Sequence, residues 1–383
     1  MSTSRPATAY VLLHDGARFD GIACGADVSA VGEIVFTTSM SGYQEAMTDP
    51  SYAGQLITFT FPQMGNYGVS AEAMESEGVH ARAAIMRAGT DREDAPGAEG
   101  GWLTWLTDCG VPAITDLDTR ALVRHIRERG SMRGGVFPAR CSKAQARDLI
   151  EAEPEMAGRD LARGLSPRQT IILEPTHAPA NIRIAMIDTG VKQSIIANLR
   201  QRGVTVELHP CSDTPAQLTA NSPDAIFLAN GPGDPAALGY VVDTVRSLVG
   251  TLPVYGICLG HQLLCQAVGL QTYKLPFGHH GANHPVKNLA TGQTEITSQN
   301  HGFAVLGPGG ARTIDADEPV RWETDFGTAE LTHINLYDRT VEGLTLLDVP
   351  GVAVQYHPEA GPGPHDARYL FDQFVSEIQK AAA

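Results

Sequence analysis

The chain has 383 residues, 43% of them apolar and 19% charged, which is ordinary for a soluble globular protein and long enough for more than one core. Its 28 basic and 43 acidic side chains give a formal charge of -15, spread along the sequence, which argues against nucleic acid as a partner. No run of about 18 apolar residues suggests a membrane span, and the start, Met1 to Pro6, lacks the basic and apolar regions of a signal peptide, so a cytoplasmic protein is expected.

The opening third reads as β-rich. Tyr10–Leu13 and a run from Phe19 flank an Asp15-Gly16 turn, and Gly32-Glu-Ile-Val-Phe36 follows as a further strand. The stretch from Thr37 to Tyr52 is full of hydroxyls and reads as a polar loop before the strand Gln55 to Phe61. Residues 91–101 read as an exposed loop. Asp118 to Gly130 has an acidic start, apolar Leu122, Val123 and Ile126, and a glycine stop, the signature of a capped amphipathic helix with a solvated basic face. A short helix around Ala144–Ile150 closes a domain of 1–150. The proline-bearing stretch 151–180 reads as a linker.

From residue 181 to the end, strand and helix alternate: Ile182–Ile187, Lys192–Arg202, Val204–Leu208, Ala225–Leu228, Gly239–Val249, Val254-Tyr255. That alternation predicts a doubly wound, mostly parallel sheet whose ligands sit at the carboxyl ends of the strands. The fold class is therefore α/β, with a β-rich N-terminal domain ahead of it.

Two motifs fall at those strand ends. In Gly256-Ile-Cys258-Leu-Gly260 a thiol sits between glycines where a strand gives way to a helix, the pattern of a nucleophile elbow. The six cysteines form no C-x-x-C pair, so neither a zinc site nor a disulfide framework is suggested. A thiol near its ordinary pKa is mostly protonated at neutral pH and needs a base. His357 in Gln-Tyr-His357-Pro-Glu359 is the best candidate, because an extended chain points His357 and Glu359 to one side, so the carboxylate can orient the ring. Alone, such a segment is more often a turn; downstream of the elbow it reads as base and orienting acid. An oxyanion could be met by the N–H of Leu259 and by the loop Gly231-Pro-Gly233. Phe277-Gly-His279-His280-Gly-Ala-Asn-His284 reads as a hydrogen-bonded loop and not a metal site, since glycines and Pro285 break any helix that would align the rings. No metal is expected in this chain.

Asn230-Gly-Pro-Gly-Asp-Pro235, Gly256-Ile-Cys-Leu-Gly-His-Gln262 and His357-Pro-Glu359, in this order, resemble the class I glutamine amidotransferases. From about Tyr10 onward the chain resembles the small, glutamine-hydrolysing subunits of carbamoyl-phosphate synthetases, through Gly32–Phe36, Thr38-Ser-Met40, Gly42–Glu45, Thr48–Tyr52, Phe277–Gly281 and Gln299-Asn-His-Gly-Phe303. The resemblance implies that Cys258 attacks the glutamine amide, His357 handles its protons and Glu359 orients His357. It also implies that Ser51, Gly231, Gly233, Leu259, Gln262, Asn300, Gly302 and Phe303 hold glutamine, with Ser51 reaching in from the first domain. Ammonia would pass to a large synthetase subunit that carries ATP, bicarbonate and metal, for arginine and pyrimidine biosynthesis. No cofactor is expected in this chain, which agrees with the missing G-x-x-x-x-G-K-[ST] loop. A heterodimer is implied, with a higher oligomer left open. Two other readings are a glutaminase serving an anthranilate or guanylate synthase, disfavoured by the N-terminal domain, and a non-catalytic scaffold, disfavoured by the intact Cys258, His357 and Glu359.

Overall fold

A computed structural model describes residues 8–316 and 318–382; the reading made on Met1 to Pro6 lies outside the described residues. The chain separates into two units. The first runs to Met156 and also takes in Pro276–His280. Its strands are β1 (Thr8–Leu13), β2 (Arg18–Ala23), β3 (Ala30–Thr37), β4 (Gln55–Phe59), β5 (Ala83–Ile85), β6 (Ala113–Thr115) and β7 (Met132–Pro138). They close into a barrel in the order β1-β2-β6-β5-β4-β3-β7. Helices α1 (Tyr43–Thr48), α2 (Trp102–Asp108), α3 (Thr119–Arg129) and α4 (Lys143–Ala152) accompany it.

Local sequence explains several joints. The β1–β2 turn uses Gly16 at φ 89 and an Asp15 carboxylate that accepts the Ala17 N–H at 3.0 Å. Helix α3 starts where the Asp118 side chain accepts the Ala121 N–H and stops at Gly130, φ 91. Its buried Leu122 and Ile126 join Val11, Ile34, Leu56, Ile85 and Ile114 in one core cluster. The hydroxyl-rich stretch expected to be a loop instead holds α1 and a single turn of 3-10 helix at Pro50–Tyr52. Burial of Tyr43, Ala46 and Met47, spaced i, i+3, i+4, accounts for the helix.

The second unit comprises Ala157–Leu275 and the chain from Gly281. Its strands are β8 (Ile171–Leu173), β9 (Ile182–Asp188), β10 (Val204–Pro210), β11 (Ala225–Leu228), β12 (Val254–Ile257), β13 (Thr272–Asn288), β14 (Thr294–Val305), β15 (Arg321–Thr324), β16 (Gly327–Asn335), β17 (Val341–Leu346) and β18 (Gly351–Val354), of which β13 lends its middle to the first unit. The helices are α5 (Gln193–Gln201), α6 (Pro215–Leu218), α7 (Gly239–Leu248), α8 (Leu259–Ala267) and α9 (Tyr369–Ala382). The sheet order is β14-β13-β16-β17-β18-β12-β11-β9-β10-β8, with β15 on β16.

Strands β10, β9, β11, β12 and β18 are mutually parallel, and their apolar residues alternate between two cores. Ala185 and Ile187 face one cluster, while Ile184 and Met186 face the other. This two-sided burial explains why these strands are apolar throughout. The stretch read as a linker contains β8, antiparallel to β10 with Ile171 opposite Leu208. The Phe277–His284 segment, expected to be a loop, lies within the 17-residue β13. Backbone bonds to residues distant in sequence, Ser131 N–H to the Pro276 carbonyl and Thr38 N–H to the His280 carbonyl, flank Gly278 and keep it within the strand.

Candidate active site

The site is assembled at the carboxyl ends of β9, β11, β12 and β18. Register fixes this: Ile187 pairs with Leu228, Leu228 with Gly256, and Ile257 with Val354, so the residues just after each strand converge. Cys258 follows β12 and caps α8 at φ 55, ψ -107, a backbone conformation that a side chain seldom adopts. The elbow is held by the Cys258 N–H donating to the Val354 carbonyl at 2.9 Å. Its glycines are required sterically. A Cβ on Gly256 would stand 2.7 Å from the Gly260 carbonyl, and one on Gly260 would stand 2.1 Å from the Leu228 oxygen. The thiol is buried and lies 3.5 Å from the Asn300 carbonyl. The Leu259 N–H occupies the first turn of α8, where a helix offers it no intrahelical acceptor. The loop after β11 approaches closely as well, since a Cβ on Gly231 would stand 2.2 Å from the Thr189 carbonyl, and Gly233 has φ 93.

His357 lies three residues past β18 and is anchored by its own N–H to the Ser298 carbonyl at 2.9 Å. Its Nδ1 is 2.6 Å from Glu359 Oε1, and both side chains are buried. Burial by itself would drive the imidazole toward its neutral form, but the Glu359 carboxylate and the Cys258 sulfur outweigh it and raise the pKa to about 10. Nε2 makes no hydrogen bond of regular geometry, and Cys258 lies close enough to contribute to the raised pKa. Burial likewise opposes ionisation of Glu359, and Lys192 first, then His357, overcome it and hold the carboxyl near 2.

Lys192 is the residue that sequence reading missed. Its Nζ donates to Glu359 Oε1 at 3.0 Å and to the Gly361 carbonyl at 2.6 Å, and it is only 2% exposed. A lysine so buried needs such partners. The sequence offers one signal: Lys192 lies just beyond β9, at the same sheet edge as the elbow and the Gly231 loop, although by local pattern it reads only as a helix start.

Gln262, one turn along α8 from the thiol, donates through Nε2 to the Phe303 carbonyl at 2.8 Å and to Gln355 Oε1 at 3.0 Å. Asn300, Gly302 and Phe303 lie on β14, with Asn300 meeting the thiol through its carbonyl. The expected residues Cys258, Leu259, Gln262, Asn300, Phe303, His357 and Glu359 thus fall within the second unit, as do Gly231, Gly233 and Gly302. Ser51 belongs to the first unit, in the turn Pro50–Tyr52, where its N–H donates to Asp49 Oδ1 at 2.8 Å.

A buried thiol at a strained strand-to-helix turn, beside an imidazole paired with a carboxylate, has the parts that thiol-dependent acyl transfer requires. Residues 185–377 match the family described as glutamine amidotransferase class-I. Residues 11–136 match the family described as carbamoyl-phosphate synthase small chain, CPSase domain. Over 375 residues, 97% of this chain and 98% of its relative, the sequence is 42% identical to a carbamoyl phosphate synthase small chain of Chlorobaculum tepidum. A protein of the same description from Thermotoga maritima is 39% identical over 97% of this chain and 98% of its own. A solved structure, that of a putative GMP synthase component from Thermoplasma acidophilum, overlaps 52% of this chain and 97% of its own length at 18% identity and a TM-score of 0.41. The chain belongs to the carbamoyl-phosphate synthase small-chain family. It is a glutamine-hydrolysing enzyme subunit. No helix among the described residues is long and apolar enough to cross a membrane.

Proposed function

We propose that Cys258, His357 and Glu359 form the catalytic triad of this glutaminase and that its ammonia goes to a large synthetase subunit. The cysteine sulfur, having given its proton to His357, attacks the side-chain carboxamide carbon of glutamine. Negative charge on the amide oxygen is met by the Leu259 N–H and by the Gly231–Gly233 loop. His357 returns a proton to the departing nitrogen, which leaves as ammonia, and a thioester remains. Water, deprotonated by His357, attacks that thioester, and glutamate leaves with Cys258 restored. One water and one glutamine thus give one glutamate and one ammonia. Gln262, Asn300, Gly302 and Phe303 hold the amino acid portion of the substrate, and no cofactor is needed on this chain. The large subunit joins the ammonia to bicarbonate with ATP, supplying carbamoyl phosphate for arginine and pyrimidine biosynthesis.

The observation that carries this reading is the 2.6 Å His357–Glu359 pair set against a cysteine at φ 55. The test is Cys258→Ser in the assembled enzyme. Glutamine-dependent carbamoyl phosphate synthesis should vanish while synthesis from added ammonia persists. Equal loss of both would refute the division of labour.

A further inference from the structure

Behind the strand assigned to glutamine runs a buried polar chain that none of the steps above uses. It begins at Glu342 in β17, whose side chain is wholly buried. Both its carboxylate oxygens accept from side-chain amides, Oε1 from Asn335 Nδ2 at 2.8 Å and Oε2 from Gln299 Nε2 at 2.9 Å. Neither amide can turn round at low cost. Asn335 Oδ1 is held by the Tyr337 N–H at 2.9 Å. Gln299 Nε2 also donates to Thr297 Oγ1 at 3.1 Å, and that hydroxyl has already given its proton to the His284 carbonyl. Two fixed donors thus occupy the two oxygens of this side chain.

The consequence appears at the other end of Gln299. With Nε2 turned to the acid, Oε1 faces His301 Nε2 at 2.9 Å. His301 Nδ1 lies 2.7 Å from the Phe303 carbonyl. Both ring nitrogens therefore face oxygens that can only accept, and both must carry protons. That is an imidazolium, with a ring nitrogen within 4.8 Å of a Glu342 oxygen. The Phe303 carbonyl receives a second donor from Gln262, which reaches it from the nucleophile helix. Strand alternation places Gln299 and His301 on one face of β14 and Asn300 and Gly302 on the other.

We propose that Glu342 is a positioning residue for the glutamine pocket: through the Gln299 amide it holds His301 as an imidazolium, which clamps the Phe303 carbonyl together with Gln262. The proposal rests on the reading that Asn300–Phe303 holds glutamine. Because Glu342 acts through Gln299 and His301 on the Phe303 carbonyl, its loss acts on binding and leaves the chemical step nearly intact.

The test uses the assembled enzyme and, for the ring, the full chain labelled with 15N in histidine. At about pH 8, where an ordinary histidine is neutral, the His301 signal should show two protonated nitrogens. Its assignment comes from a His301→Asn spectrum. In Glu342→Gln the signal should become that of a neutral ring, KM for glutamine should rise about tenfold, and kcat should stay within about twofold, as expected for losing one charge-assisted contact. Glu342→Asp should keep the protonated ring, and Gln299→Leu, which cuts the link while sparing Glu342, should raise KM as Glu342→Gln does. A neutral His301 ring in the unaltered chain would overturn the proposal, as would an unchanged KM in both Glu342→Gln and Gln299→Leu. A loss of kcat in step with a lowered melting temperature would also overturn it, by making Glu342 merely structural. Absence of glutamine hydrolysis by the unaltered assembled enzyme would instead remove the underlying reading, and the ring signal would remain legible on its own.

Discussion

Lys192 shows how much a single buried charge can decide. Glu359 carries two cationic neighbours on one oxygen, His357 at 2.6 Å and Lys192 at 3.0 Å, and its other oxygen has no hydrogen-bond partner. In Lys192→Met the carboxylate keeps only the imidazolium, so its pKa should climb back from near 2 and its grip on the ring should loosen. A fall of about 10- to 100-fold in glutaminase kcat/KM is expected, a range usual for a disturbed catalytic environment; unchanged kcat/KM would rule out an orienting role. The histidine makes a separate prediction. Its folded pKa, about 10, is above the ordinary 6.5, so the stabilisation from the protonated ring is complete below 6.5 and is lost as pH rises toward 10. Thermal melts of the unaltered chain should thus decline across that window more steeply than those of His357→Gln. Parallel slopes would mean the ring's charge contributes nothing to stability.

At the scale of elements, the elbow and β14 use glycine for different reasons, and the two can be separated. Gly260 packs α8 onto β11 so closely that a Cβ would sit 2.1 Å from a backbone oxygen, whereas a Cβ on Gly302 meets nothing within 4 Å. Gly260→Ala should therefore cost about 3 kcal/mol, toward the upper end for overpacking, and lower the urea midpoint. Gly302→Ala should leave that midpoint unchanged and raise KM for glutamine, if the open space beside it is where substrate lies. A destabilised Gly302→Ala would assign that glycine to the fold instead. The contrast also marks what sequence could convey. The elbow was legible because tight geometry demands glycine on both sides of Cys258, and His357-Pro-Glu359 because two residues of extended chain suffice to pair ring and carboxylate. Helix α1 was hidden under turn-forming hydroxyls until Tyr43, Ala46 and Met47 found a core. The strand β13 was hidden by glycines whose pairing is supplied from far away in sequence, and Lys192 by the 167 residues that separate it from Glu359.

At the scale of the whole molecule, the chain does not divide at a single point. The first unit follows the sequence in running from the N-terminus to Met156, but it then recruits Pro276–His280 from the middle of β13. The recruited segment is bonded in: the Ser131 N–H donates to the Pro276 carbonyl at 2.7 Å, the Thr38 N–H donates to the His280 carbonyl at 3.2 Å, and Phe277 stacks on Phe36 with ring centres 5.9 Å apart. A composition shift reveals a boundary between neighbours in sequence, but it has no means of revealing a five-residue return visit. A chain ending at Met156 would keep every barrel strand yet leave those two amides without their acceptors and the Phe36 ring without its cover. Hydrogen exchange should report this directly. The amides of Thr38 and Ser131 should be protected in the full chain and exchange much faster in the shortened one, while central barrel amides such as that of Val11 keep most of their protection. Equal protection of Thr38 and Ser131 in both would show that the barrel is self-sufficient and that the excursion of β13 serves the second unit alone.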